Sequence, residues 1–141
     1  EQFKKNVQII SKSALENYSE KFIEFLQIEK IDLIILAGFL IKIPVAFIKA
    51  FPNKIINIHP ALLPKHGGKG MYGMNVHRSV ISSGDKESGI TIHFVNEEYD
   101  KGEIILQAKC PIDKNETPES LSKKIQKLEF EYLPKAVEKF L

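Results

Sequence analysis

The chain has 141 residues, 43% hydrophobic and 27% charged, which fits one globular domain with a single core and excludes a disordered or fibrous protein. Twenty Lys and Arg stand against 18 Asp and Glu, a formal net charge of +2 with the signs interspersed, so no nucleic-acid partner is implied. The apolar run from Ile31 to Ile43 is broken by Asp32, Gly38 and Lys42 and falls short of the roughly 20 residues of a spanning helix, so no membrane segment is read.

From Ser13 to Glu29, Leu15, Tyr18, Phe22, Phe25 and Leu26 recur at helical spacing, and Ser13 stands three before Glu16 as in a capping box. The pattern predicts one amphipathic helix. Asp32 to Ala37 is apolar without alternation and stops at Gly38, as a parallel strand buried on both faces would. Pro44 can occupy the first turn of a short helix reaching about Ala50, and Lys54 to Ile58 reads as a second buried strand. This alternation is an α/β order. Pro60 to Asn75 holds two prolines and four glycines and is predicted to be a long loop directly after a strand. Ligands of open α/β sheets bind at such places.

Val76 to Ser83 resumes as a short helix, and Gly89 to Val95 alternates as a strand does. Glu103 to Lys109 is a further strand. Thr117 and Pro118 look like the N-cap and first residue of a closing helix whose stripe is Leu121, Ile125, Leu128 and Tyr132. Pro134 should kink or interrupt it. Cys110 is the only cysteine, which excludes an internal disulfide and a cysteine-rich metal site and makes a reducing, cytoplasmic compartment the simplest reading. From Glu1 onward no charged n-region or apolar signal core is visible, so no secretory sequence is expected.

Asn57 and His59 are two apart on a strand, so both side chains leave one face at the end where the glycine-rich loop begins. An amide donor beside an imidazolium suits the oxygen of a tetrahedral acyl-transfer intermediate. On spacing alone the pair is more simply an amide that satisfies loop backbone and a partly buried histidine. The acidic segment Asn96 to Gly102 adds Asp100, two residues before a glycine. A carboxylate there could face His59, raise its pKa toward neutrality and order a proton-carrying water.

INIHPALLPK, then VHRSVISSGDKESGITIHFVNEEYDKGEIILQ, with LAGF at Leu36 to Phe39, resembles the phosphoribosylglycinamide formyltransferases, a family of folate-dependent enzymes. The likeness runs from about Ser13 to the C-terminus, with several short motifs in matching order. It implies an α/β formyltransferase fold, a mostly parallel Rossmann-like sheet with helices on both faces. It also implies transfer of a formyl group from 10-formyltetrahydrofolate to the amine of glycinamide ribonucleotide, without a metal, in a monomer or homodimer. By the resemblance His59 is the proton donor, Asn57 helps hold the oxyanion, and Asp100 raises the pKa of His59 and supports proton transfer.

The same resemblance places the pterin against Leu40, Ile41, Lys42 and Ile43 and against Asn96, Glu97, Glu98, Tyr99 and Asp100, with Asn57 touching the folate as well. Leu36, Ile43, Ile48 and Ile55 would wall it and serve as core. Gln126 and Glu129, at i, i+3 on the closing helix, align with contacts to the glycinamide substrate, and a carboxylate suits an ammonium group. His77 and His93 would border the site without a required step.

Three departures from the family stand out. Its first βαβ unit, whose glycine-rich loop holds the ribonucleotide phosphate, is absent from these residues, so residues 1–141 read as one formyltransferase domain lacking its N-terminal portion. The loop His66 to Met74 is longer than in many relatives and is no P-loop, because Gly70 follows Lys69 where Ser or Thr should stand; it reads as a mobile rim. Leu15 falls where some relatives carry an arginine near the folate tail. A 10-formyltetrahydrofolate hydrolase is the runner-up, beside other folate-dependent formyltransferases with a different acceptor, and a non-catalytic folate-binding fragment is the alternative of another class.

Overall fold

The computed structural model describes residues 7–140, so the opening residues read above for a secretory signal lie outside the description. In chain order these residues form α1 (Lys12–Asn17), α2 (Ser19–Ile28), β1 (Ile34–Leu36), α3 (Val45–Ala50), β2 (Ile55–His59) and α4 (Met74–Ser83). They continue as β3 (Glu87–Phe94), β4 (Ile104–Pro111), α5 (Pro118–Val137) and a closing 3-10 turn (Glu138–Phe140).

The first predicted helix is two. Tyr18 leaves helical geometry at φ −121°, ψ 26°, and Ser19 turns its hydroxyl back onto the Leu15 carbonyl at 2.6 Å. Such back-bonding satisfies the hydroxyl where the chain bends. The N-cap is Ser11, which accepts from the Ala14 N–H, so the expected Ser13 capping box does not form. At the other end of the chain Thr117 caps α5 as read, with Ser120 completing a reciprocal capping box. Pro134 does not interrupt α5, which runs on to Val137. The proline removes one donor near the last turn, where its would-be acceptor belongs to Phe130, 81% exposed and open to water.

The sheet has the order β1-β2-β3-β4, with β1 parallel to β2 and the other two pairs antiparallel. The α/β class holds, but the described sheet is mixed where a mostly parallel one was expected. Burial on both faces does not by itself fix direction: β3 is buried from Ser88 to His93 and yet runs antiparallel to both of its neighbours. β1 is also less buried than its apolar run implied: Ile35 is 39% exposed, since β1 pairs only with β2 among the described residues.

Alternation along β2 divides the core between two faces. Ile56 and Ile58, with Ile90 and Ile92 of β3, bury against Val76 and Val80 of α4 and Leu121 and Ile125 of α5. Ile55 turns the other way, onto Phe47 and Phe51 around α3 and Leu15 and Ile23 of α1 and α2. Helices therefore cover both faces. The parallel register sets Leu36 beside Asn57, so the turn after β1 and the loop after β2 open at the same end of the sheet.

Candidate active site

Asn57 and His59 project from the carboxyl end of β2, opposite His93 and Thr91 of β3. Cross-strand partners share a face, so His93 joins the pair, and the Asn57 amide donates to His93 Nε2 at 3.2 Å. His93 Nδ1–H in turn donates to the Phe94 carbonyl at 2.8 Å, which leaves Nε2 free to accept. Asp100 arrives from the turn between β3 and β4. It holds a left-handed backbone at φ 54°. Its Oδ2 lies 3.6 Å from His59 Nδ1 and its Oδ1 lies 3.6 Å from His93 Nε2.

Glycine makes this approach feasible. A Cβ on Gly102 would stand 1.6 Å from the Phe94 carbonyl oxygen. A Cβ on Gly67 would meet Leu63 Cδ2 at 2.4 Å and Asp100 Cβ at 3.3 Å. The loop after β2 is tied to the sheet by one buried hydroxyl: Thr91 Oγ1 accepts from the Leu63 N–H at 3.0 Å and donates to the Ala61 carbonyl at 2.7 Å. Gln107 adds donations to the Leu63 carbonyl and to Thr91 Oγ1, each at 2.9 Å. These bonds tie the loop's first turn to β3 and β4.

His59 is 4% exposed. Its Nε2–H donates to the His66 carbonyl at 2.8 Å, so in the neutral ring Nδ1 is the unprotonated nitrogen facing Asp100. Burial lowers the pKa of His59 below its ordinary value of 6.5, against the upward pull of Asp100 and of the His66 carbonyl. The expectation that Asp100 raises this pKa is correct for its own contribution and wrong for the net direction, because desolvating the imidazolium outweighs one carboxylate. For Asp100 burial acts upward, yet the His93 ring when it is protonated toward Asp100, the Gly68 N–H and the His59 charge hold the carboxyl below its usual range. His77 is likewise lowered by burial and then by His59, and its Nδ1 is buried without a hydrogen-bond partner.

Two adjoining cavities open here. The larger, about 580 Å³, is bordered by Asn57, His59 and Asp100, by Leu40 beyond β1, by the rim Gly68 to Met74, and by Gln126 and Glu129 of α5. The smaller, about 70 Å³, is bordered by Leu36, Ile41, Lys42, Ile43, Asn96, Glu98, Tyr99 and Asp100, and it shares Asn57 with the first. Glu97 lines neither cavity, and Ile48 and Ile55 sit in the core cluster instead. Leu15 is also in that cluster. Lys42 stacks over the Tyr99 ring at 5.7 Å from its centroid, joining the two segments that flank the smaller cavity. Burial raises the pKa of Glu129.

The central position of His93, against both Asn57 and Asp100, escaped the sequence reading, which set it at the border. Its period-two position in GITIHFV was visible, but its contacts depend on the β2–β3 register. Among the described residues no group of three or more His, Cys, Asp and Glu is placed to hold a metal ion, and no helix is long and apolar enough to cross a membrane.

Residues 1–137 match the family model described as formyl transferase. The chloroplastic phosphoribosylglycinamide formyltransferase of Arabidopsis thaliana is 55% identical over 95 residues, covering 67% of this chain and 32% of that protein. The phosphoribosylglycinamide formyltransferase of Haemophilus influenzae is 40% identical over 117 residues, covering 83% of this chain and 53% of its own length. Among solved structures, glycinamide ribonucleotide transformylase 1 from Geobacillus kaustophilus superposes with a TM-score of 0.80 at 34% identity, over 93% of this chain and 65% of that one. The chain therefore spans about a third to two thirds of the length of these relatives.

Proposed function

The chain belongs to the formyl transferase family, and on that premise we propose that it transfers a formyl group from 10-formyltetrahydrofolate to the amine of glycinamide ribonucleotide. The observation that carries this reading is the convergence of Asn57, His59 and Asp100 on the wall of one cavity of about 580 Å³. The apolar side chains Leu36 and Ile43, set beside Asn96, Glu98 and Asp100, suit a flat heterocycle with polar edges in the smaller cavity. The acceptor amine attacks the formyl carbon, and collapse of the tetrahedral intermediate breaks the bond to N10 of the donor, which leaves as tetrahydrofolate carrying the proton that the amine gives up.

The protein's groups then divide the work. The Asn57 amide has two N–H donors; His93 takes one, and the other is left for the charge that develops on the formyl oxygen. Such a donor contributes about 3 kcal/mol when preorganised. His59 and Asp100 handle the proton, with Nδ1 of His59 and Oδ2 of Asp100 as the facing atoms. Gln126 and Glu129 border the same cavity from α5, where the Glu129 carboxylate suits an ammonium group. With Cys110 as its only cysteine, the chain suits a reducing compartment, the cytoplasm or a plastid like that of the Arabidopsis relative.

The test is formyl transfer with both substrates, following formylated product and released tetrahydrofolate together. Product formation should require the amine, and His59→Ala and Asn57→Ala should each reduce kcat by about 100-fold or more, as losses of transition-state contacts do. Donor consumption at one rate with and without the amine would favour hydrolysis and defeat the proposal.

A further inference from the structure

His66 lines neither cavity, yet it touches the centre of the site through its backbone. Its φ is +53°, a left-handed conformation that a non-glycine residue keeps only when its surroundings hold it. The ring is held from two sides. Its Nε2–H donates to Asp85 Oδ2 at 3.0 Å, and its Nδ1 lies 2.8 Å from Ser79 Oγ on α4. Asp85 also pairs with Lys65 at 3.1 Å, and the hydrogen bonds from His66 and Lys65 keep its carboxyl below the ordinary range, so it stays charged. Asp85 follows Gly84, the left-handed cap that ends α4.

A serine, a histidine and an aspartate in hydrogen-bonded sequence invite a hydrolytic reading. None of the three lines either cavity, so a substrate would have no seat beside Ser79. What the clamp does reach is the segment that touches both His59 and Asp100: the His66 carbonyl accepts from His59 Nε2 at 2.8 Å, and the Gly68 N–H donates to Asp100 Oδ2 at 2.8 Å.

We propose that His66 is a positioning residue, anchored by Asp85 and Ser79 so that its carbonyl commits Nε2 of His59 to donation and leaves Nδ1, facing Asp100, as the nitrogen that gains and loses the proton. This rests on the proton-handling role given to His59 above. The titratable groups facing His59 are Asp100, His93, His66 and His77, and of these only His66 supplies an oxygen at hydrogen-bond distance from Nε2. Without the clamp the left-handed turn relaxes, the carbonyl drifts, and the neutral ring can place its hydrogen on Nδ1 instead.

The experiment is nitrogen-15 NMR of the His59 ring across pH in the protein, in His66→Phe, in Asp85→Ala and in Asp85→Asn. In the unaltered protein Nε2 should stay protonated throughout while Nδ1 carries the titration. His66→Phe and Asp85→Ala should give mixed tautomers and a lower midpoint, because an acceptor that favours the charged ring is lost. Asp85→Asn keeps an oxygen for the His66 N–H and should restore the original pattern. Transfer should fall about tenfold in kcat with KM within about twofold, the signature of a misplaced catalytic group.

If His66→Phe and Asp85→Ala lower the melting temperature but leave tautomer and midpoint unchanged, the clamp is structural and the proposal is overturned. Should His66→Phe fail to fold, Ser79→Ala removes a single contact and is read by the same two criteria. Transfer that survives His59→Ala would instead overturn the role of His59, and the tautomer measurement would still report on the clamp.

Discussion

Asp100 binds the site together through both carboxylate oxygens, one facing His59 and the Gly68 N–H, the other facing His93. Its loss therefore acts on charge and on position together. Asp100→Asn removes the largest upward influence on His59, so the pKa of that ring, already below 6.5, should fall further. The limb of the pH–rate profile at which His59, as proton donor, loses its proton should move to lower pH, and kcat should drop by about 100-fold, within the range for a lost acid–base partner. If that limb stays where it was, Asp100 does not act through His59. At this scale Asn57, His59 and Asp100 were legible through the ordered family motifs that carry them, not through their spacing alone. His93 and His66 were not, because one acts through strand register and the other through a backbone carbonyl.

Elements decide where those residues stand. The turn from β3 to β4 returns so closely that Gly102 has no room for a side chain: an added Cβ would lie 1.6 Å from the Phe94 carbonyl oxygen and 2.6 Å from its carbon. Backbone cannot yield as a side-chain tip can, so Gly102→Ala should cost about 3 kcal/mol or more in urea unfolding and should also impair transfer by displacing Asp100. Wild-type stability in that variant would show that the turn relaxes freely. The closing helix was readable from Thr117, Pro118 and its apolar stripe, since capping and periodicity are local. The break at Tyr18 was not, because the apolar spacing continues across it and only the Ser19 hydroxyl on the Leu15 carbonyl marks the bend.

For the whole molecule, the shifted groups mostly point the same way on acidification. His59 and His77 have folded pKa values below the unfolded value of 6.5, so they contribute stability above that pH and lose it as pH falls through their folded values. Asp85 and Asp100 are also depressed, and Glu116 is pulled down to about 2 by Lys124 and Ser120; their contributions are present above about pH 4 and fade below it. Glu129, raised by burial, works in the opposite sense but alone among these. The urea midpoint should fall between pH 7.5 and 5.5 and fall again below pH 4. A flat profile over the first interval would mean that the buried histidines are not desolvated as the structure places them. By itself the sequence determined the α/β order and the capped closing helix, because periodicity and caps are written locally along the chain, and its family motifs put forward the candidate trio. Only the tertiary structure decided the mixed strand directions, the net downward shift of His59 and the His66 clamp, since each arises from groups brought together across the chain by register, burial and backbone geometry.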